Sequence, residues 1–119
     1  PDGLHFDSQG RLWIQTDMSG SAIGKGPMAA LGNNQMLCAD PASGRIKRFL
    51  VGPGGCEITG CVLTPDCRSL FVNIQHPGER ADGSTTPSSA WPDGSRPGSA
   101  RPRSATVVVR RRDGGIVGT

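Results

Sequence analysis

Short runs of alternating apolar and polar residues, broken by turn-rich punctuation, recur along most of this chain and predict strands rather than helices. Leu4-His5-Phe6 and the run Arg11 to Thr16 flank Asp7-Ser8-Gln9-Gly10. Asp at the first position of such a turn caps the backbone and Gly at the last is free to take positive φ, so a hairpin is expected. Asn34 to Ala39 and Arg45 to Val51 flank Asp40-Pro41-Ala42-Ser43-Gly44 in the same way. Cys61-Val62-Leu63 and Leu70-Phe71-Val72 flank Thr64 to Arg68 and give a third hairpin. Ala105 to Val109, β-branched almost throughout, faces Ile116-Val117 across Asp113-Gly114-Gly115 and predicts a fourth. Met18 to Leu31 has no period and reads as a loop.

Residues 1–79 therefore form a unit of blade-like hairpins, 104–119 a closing hairpin, and 80–103 a long loop between them. That loop is almost entirely Gly, Ser, Thr, Pro, Ala, Arg and Asp, too poor in apolar area to offset its ordering entropy unaided. Trp91 is its one expected anchor. Leu4 to Ile14 can be laid over Val62 to Val72, which carries one residue more after its Arg and has Cys67 where the turn favours Gly. A hairpin unit repeated at roughly 40 to 60 residues points to propeller blades and related arrays. The fold class is all-β, built of antiparallel hairpins.

Composition narrows this further. With 34% apolar residues, 18 Gly and 10 Pro in 119 residues, the core must be thin. The net charge of +3 sits mostly in Arg96, Arg101, Arg103 and Arg110 to Arg112, with no interleaved aromatics on which bases would stack. A solvated, arginine-protected edge is the expectation, not nucleic acid. Cys38, Cys56, Cys61 and Cys67 lack zinc-finger spacing and read as small buried thiols. The chain opens Pro1-Asp2-Gly3 without initiator Met, signal peptide or apolar run of membrane length, so a membrane partner is not expected and the chain reads as an excised fragment.

The chemistry concentrates on one edge. The far ends of the third hairpin carry Gly55-Cys56-Glu57-Ile58-Thr59-Gly60 and Asn73-Ile74-Gln75-His76-Pro77-Gly78-Glu79, and antiparallel pairing brings such ends together. Glu57, Asn73, Gln75 and His76 are thus expected near one another. Glu57 starts an otherwise apolar strand, so it either meets a cation or an arginine or faces water at the strand end. Asn73 and Gln75 share one strand face, with Ile74 on the other. Pro77 restricts His76 to an extended conformation, and its imidazole suits donation, acid–base work or metal ligation. Asp2, taken alone, reads as a turn residue. Asn33 and Asn34 read as site-supporting or turn residues, and Asp17 stays open between roles.

These motifs carry a resemblance. Pro-Asp-Gly-Leu with Gly-Arg-Leu-Trp-Ile-Gln-Thr-Asp, Gly-Asn-Asn-Gln-Met-Leu, Gly-Cys-Glu-Ile-Thr-Gly, Phe-Val-Asn-Ile-Gln-His-Pro-Gly-Glu, Trp-Pro-Asp-Gly and Arg-Pro-Arg-Ser-Ala-Thr-Val-Val-Val resemble the C-terminal part of the PhoX-type bacterial alkaline phosphatases. The resemblance implies about two blades, some eight strands, of a β-propeller whose channel holds calcium and iron and hydrolyses phosphate monoesters. It also implies a periplasmic or extracellular enzyme exported by the twin-arginine route. It marks Asp2 and Glu57 as metal ligands, with Asn73, Gln75 and His76 on the substrate side, and no iron-binding role for the four cysteines. The partners implied are a phosphate ester and the remaining blades of a parent chain, and exposed edges make the fragment prone to self-association.

No Ser-His-Asp arrangement, phosphate-cradling glycine loop or HExxH pattern is present, so the fragment alone is expected to be inactive. The alternative is a non-catalytic, propeller-like binding module that uses the same edge for a ligand. Metal dependence separates the two.

Overall fold

A computed structural model describes all 119 residues. Seven strands form: β1 (Leu4–Phe6), β2 (Leu12–Gln15), β3 (Gln35–Asp40), β4 (Arg45–Val51), β5 (Glu57–Leu63), β6 (Leu70–Gln75) and β7 (Ala105–Val109). They build two antiparallel sheets, β1-β2-β3-β4 and β5-β6-β7, as expected of an all-β chain of about two blades.

The turns follow their local chemistry. Asp7 Oδ1 accepts the amides of Gln9 and Arg11 at 2.9 and 3.0 Å, and Gly10 takes φ 77°. Asp40 does the same for Ala42, and Gly44 follows at φ 68°. In the β5–β6 turn the Cys67 amide donates to Thr64 O at 2.8 Å, and Cys67 itself takes φ 53°. Cys67 thus sits in the left-handed conformation that the aligned hairpin gives to a glycine.

The two sheets meet across a core of Trp13, Met36, Cys38, Cys56, Ile58, Leu70, Val72, Ile74 and Val117. Trp13 stands edge-on to Phe49 with ring centroids 4.9 Å apart. Along β5, strict alternation would turn Cys61 and Leu63 away from this core. A bulge between Thr59 and Cys61 restores them: Gly60, at φ 66°, is the inserted residue, and Cys61 then faces Val72.

Two expectations fail here. Within Met18 to Leu31, expected to be loop throughout, a 3₁₀ helix spans Gly26–Leu31 with Pro27 in its first turn, where its fixed φ suits the helix. The fourth hairpin forms only its first strand. Ile116 and Val117 do not pair with β7 because the backbone of Val117 is engaged elsewhere: its amide donates to Cys67 O at 2.9 Å and its carbonyl accepts from Arg11 Nη1 at 2.5 Å. The Val117 side chain then fills the core. Residues 80–103 contain no helix or strand, and Trp91 packs half-buried against the core beside buried Ala90.

Candidate functional site

The strand ends bring Glu57 opposite Gln75. The chain leaves β6 through His76-Pro77-Gly78-Glu79, where the Glu79 amide donates to His76 O at 3.3 Å and Gly78 takes φ 88°, as a type II turn requires. His76 stands between two carboxylates, with Nε2 3.4 Å from Glu57 Oε2 and Nδ1 3.0 Å from Glu79 Oε2.

His76 is not extended as its Pro neighbour predicts. It takes φ 34°, a conformation that costs a side-chain-bearing residue about 1–3 kcal/mol and persists only where its surroundings impose it. Three contacts do so: its amide donates to Ser104 Oγ at 2.9 Å, its carbonyl closes the turn, and its ring is flanked by the two carboxylates.

A glycine loop lies directly against this turn. Gly54 O accepts the Gly78 amide at 2.8 Å, and a Cβ on Gly55 would stand 2.2 Å from Glu79 O. Gly55 also has φ 70°, so no other residue fits without displacing the His76–Glu79 turn.

Asn33 and Asn34 tie this loop to the other sheet. Asn33 Nδ2 donates to Pro53 O at 2.7 Å and Cys56 O at 3.0 Å, while its Oδ1 accepts from the Gly55 amide at 3.2 Å. Asn34 Nδ2 donates to Cys56 O at 3.0 Å, and its Oδ1 accepts from Thr16 Oγ1 and the Met18 amide at 3.0 and 2.6 Å. Both side chains are buried, and between them they set the path of the chain into Glu57.

A cavity of about 310 Å³ opens beside the turn, lined among others by Asp17, Ser19, Cys56, His76, Glu79 and Arg80. Arg80 is paired with Asp82 on its outer side. Asp17, open between roles in the sequence, and Glu79, which no motif assigns to the site, meet at this cavity because the packing of the sheets brings their loops together. The Glu-after-Pro-Gly spacing behind His76 was the available signal for Glu79.

The other predicted residues are spread out. Asn73 and Gln75 do share the outer face of β6, away from this cavity, and line a shallow depression with Thr59, Ser104 and Thr106. Asn73 Oδ1 accepts from Thr106 Oγ1 at 2.7 Å. Asp2 is exposed ahead of β1, its amide donating to Gln15 O at 2.9 Å.

The Glu57 side chain is only 14% exposed and its one ion-pairing contact is with His76 Nε2, which leaves carboxylate oxygen for a hard cation. No three His, Cys, Asp or Glu side chains gather into a metal-holding group, so this chain alone falls short of the six to eight oxygens that calcium takes. Burial pushes the Cys56 and Cys61 thiols up to about 12.

Three comparisons bear on these residues. The family model described as Alkaline phosphatase PhoX matches residues 1–78. The fold is similar to that of Pseudomonas fluorescens PhoX in complex with vanadate, a transition state analogue, with a TM-score of 0.81 and 53% sequence identity over 99% of this chain and 19% of that one. The chain therefore spans about a fifth of that protein's length. A comparison with curated proteins gives no match.

Proposed function

The chain belongs to the PhoX alkaline phosphatase family, and from that membership we propose that it is the C-terminal part of a metal-dependent phosphatase acting on phosphate monoesters. The observation that carries this reading is the near-buried Glu57 carboxylate, held at a strand end by two interlocked loops in a chain 53% identical to a protein crystallised with vanadate.

In this reading Glu57 and Asp2 each supply carboxylate oxygen to calcium, and the remaining ligands, including those for iron, come from the rest of the parent. Bound ions would polarise the phosphoryl oxygens and furnish a nucleophilic oxygen. This chain's own contribution is positional. Asn33 and Asn34 fix the Cys56 carbonyl and so the aim of Glu57. His76, held between Glu57 and Glu79, lines the same cavity as Arg80, whose guanidinium suits an anionic ester. Asn73 and Gln75 sit beyond this cavity and would meet substrate only along the outer face of β6. The parent is read as exported, periplasmic or extracellular, and the isolated chain as inactive.

The test is phosphatase activity of the full-length parent carrying Glu57→Gln, with calcium titrated. The change keeps side-chain shape and removes one charge. Loss of turnover that added calcium partly restores is the expected result. Unchanged turnover and calcium response would return this edge to a binding role without metal.

A further inference from the structure

The two longest segments outside the strands, residues 16–34 and 76–104, touch at Gly20 and Ala81: a Cβ on Gly20 would stand 2.9 Å from the Ala81 Cβ. Beside this contact the cavity at the His76 turn continues into a second one of about 700 Å³, a size typical of small-molecule sites. The two share Gly20, Ile23, Gly55, Glu79, Arg80 and Ala81, so they form one trough with a near end beside His76 and a far end between the two loops. In the shared wall Arg80 Nε donates to Asp82 Oδ1 at 2.9 Å, and Asp82 lines only the far end.

The far end has its own chemistry. Its apolar side chains are Ile23 and Ala81, and none of its lining residues is aromatic. An aryl group or a nucleobase would find no ring to stack on there. What the wall offers instead is the hydroxyls of Ser21 and Ser88 and the Lys25 ammonium, which takes part in none of the ion pairs. Each hydroxyl has one partner, Ser21 with Ser19 Oγ at 2.9 Å and Ser88 with Glu79 O at 3.3 Å, and keeps further hydrogen-bonding capacity. Gly32, Gly54 and Gly55 let a ligand come close to the backbone.

We propose that the far end is the subsite for the alcohol part of the phosphate ester, and that it takes a hydroxyl-rich alcohol, as in a sugar phosphate. Sugar hydroxyls both donate and accept, which matches serine hydroxyls, a free ammonium and open backbone better than any apolar group would. The loops 16–34 and 76–104 then act as specificity loops carried on the two sheets, a division of labour common where a rigid scaffold holds variable connections. This inference rests on the phosphatase reading proposed above, with the phosphoryl group at the near end.

The test compares two esters in the full-length parent. The alcohol of glucose 6-phosphate is large enough to enter the far end, and the single carbon of methyl phosphate is not. Ser21 and Lys25 are exposed and line only the far end. Ser21→Trp, which fills that end, should lower the ratio of kcat/KM for glucose 6-phosphate to that for methyl phosphate about tenfold, mainly through KM. Lys25→Ala should lower the same ratio about fivefold by removing one charged donor. Should Ser21→Trp abolish turnover of both esters, Lys25→Ala decides alone, since it only shortens an exposed side chain. Ratios within about twofold of wild type would overturn the subsite and leave the phosphatase reading standing. A wild-type parent that turns over neither ester would instead remove the phosphatase reading, and the subsite with it.

Discussion

Asp7→Asn is the most informative perturbation of the fold. The Asp7 side chain is fully buried, yet it is saturated with donors. Its Oδ1 accepts the Gln9 and Arg11 amides, and its Oδ2 accepts Trp13 Nε1 and Arg11 Nε at 2.8 Å each, with Arg11 Nη2 also 2.8 Å away. Arg11 in turn holds the Val117 carbonyl, so this carboxylate links the first hairpin to the C-terminal anchor of the core. An asparagine in either orientation turns an NH₂ group toward donors. It removes the negative charge while the guanidinium stays only 11% exposed. Breaking a buried charge pair in this way costs about 3–5 kcal/mol.

Titration gives a second handle on the same group. Burial by itself would raise the Asp7 pKa, but the Trp13, Arg11 and Gln9 hydrogen bonds and the Arg11 charge outweigh it and hold the carboxyl below its ordinary value of 3.8. A carboxyl lowered in the folded state contributes stability that is present above the unfolded pKa and is lost as pH falls toward the folded one. The deficit of Asp7→Asn should therefore be full at neutral pH and shrink below about pH 4. Urea unfolding followed by tryptophan fluorescence at several pH values measures both effects. A deficit below about 1 kcal/mol at neutral pH, the scale of an exposed ion pair, would refute the assignment of Asp7 as a buried node.

Gly55→Ala should cost about 2 kcal/mol or more, since it adds a clash with Glu79 O to an unfavourable φ, and in the parent it should lower turnover by displacing His76. Gly10→Ala is its control: φ is similar and nothing lies within 4 Å, so thermal unfolding should show only about 1 kcal/mol of strain. At position 67, Gly and Ala both lose the buried thiol and its 3.1 Å contact with Ser8 Oγ, but only Ala keeps the left-handed strain. Cys67→Gly should thus be more stable than Cys67→Ala by about 1 kcal/mol, and equal melting temperatures would count against strain at this turn.

Glu57 beside His76 and Gln75 was legible from sequence because hairpin ends meet whatever surrounds them. The two faces of β6 were legible from its alternation. The meeting of Asp17 and Glu79 at one cavity was not, because their loops converge only once the two sheets stack. The expected partnership of Ile116-Val117 with β7 failed for a related reason. β-branched residues mark a segment that prefers extended backbone or burial, and only the neighbouring Cys67 carbonyl and Arg11 guanidinium decide that Val117 is an anchor and not a strand.

The sequence by itself determined three of the hairpins, their turns and the family, since period-2 alternation, Asp-capped reversals and contiguous motifs act over a few residues. Tertiary structure decided where polar side chains find their partners: Asn33 and Asn34 on the Cys56 carbonyl, Gly55 against Glu79, and His76 forced to positive φ between two carboxylates. It also decided that β7 pairs with β6 alone and not with the segment at Ile116-Val117.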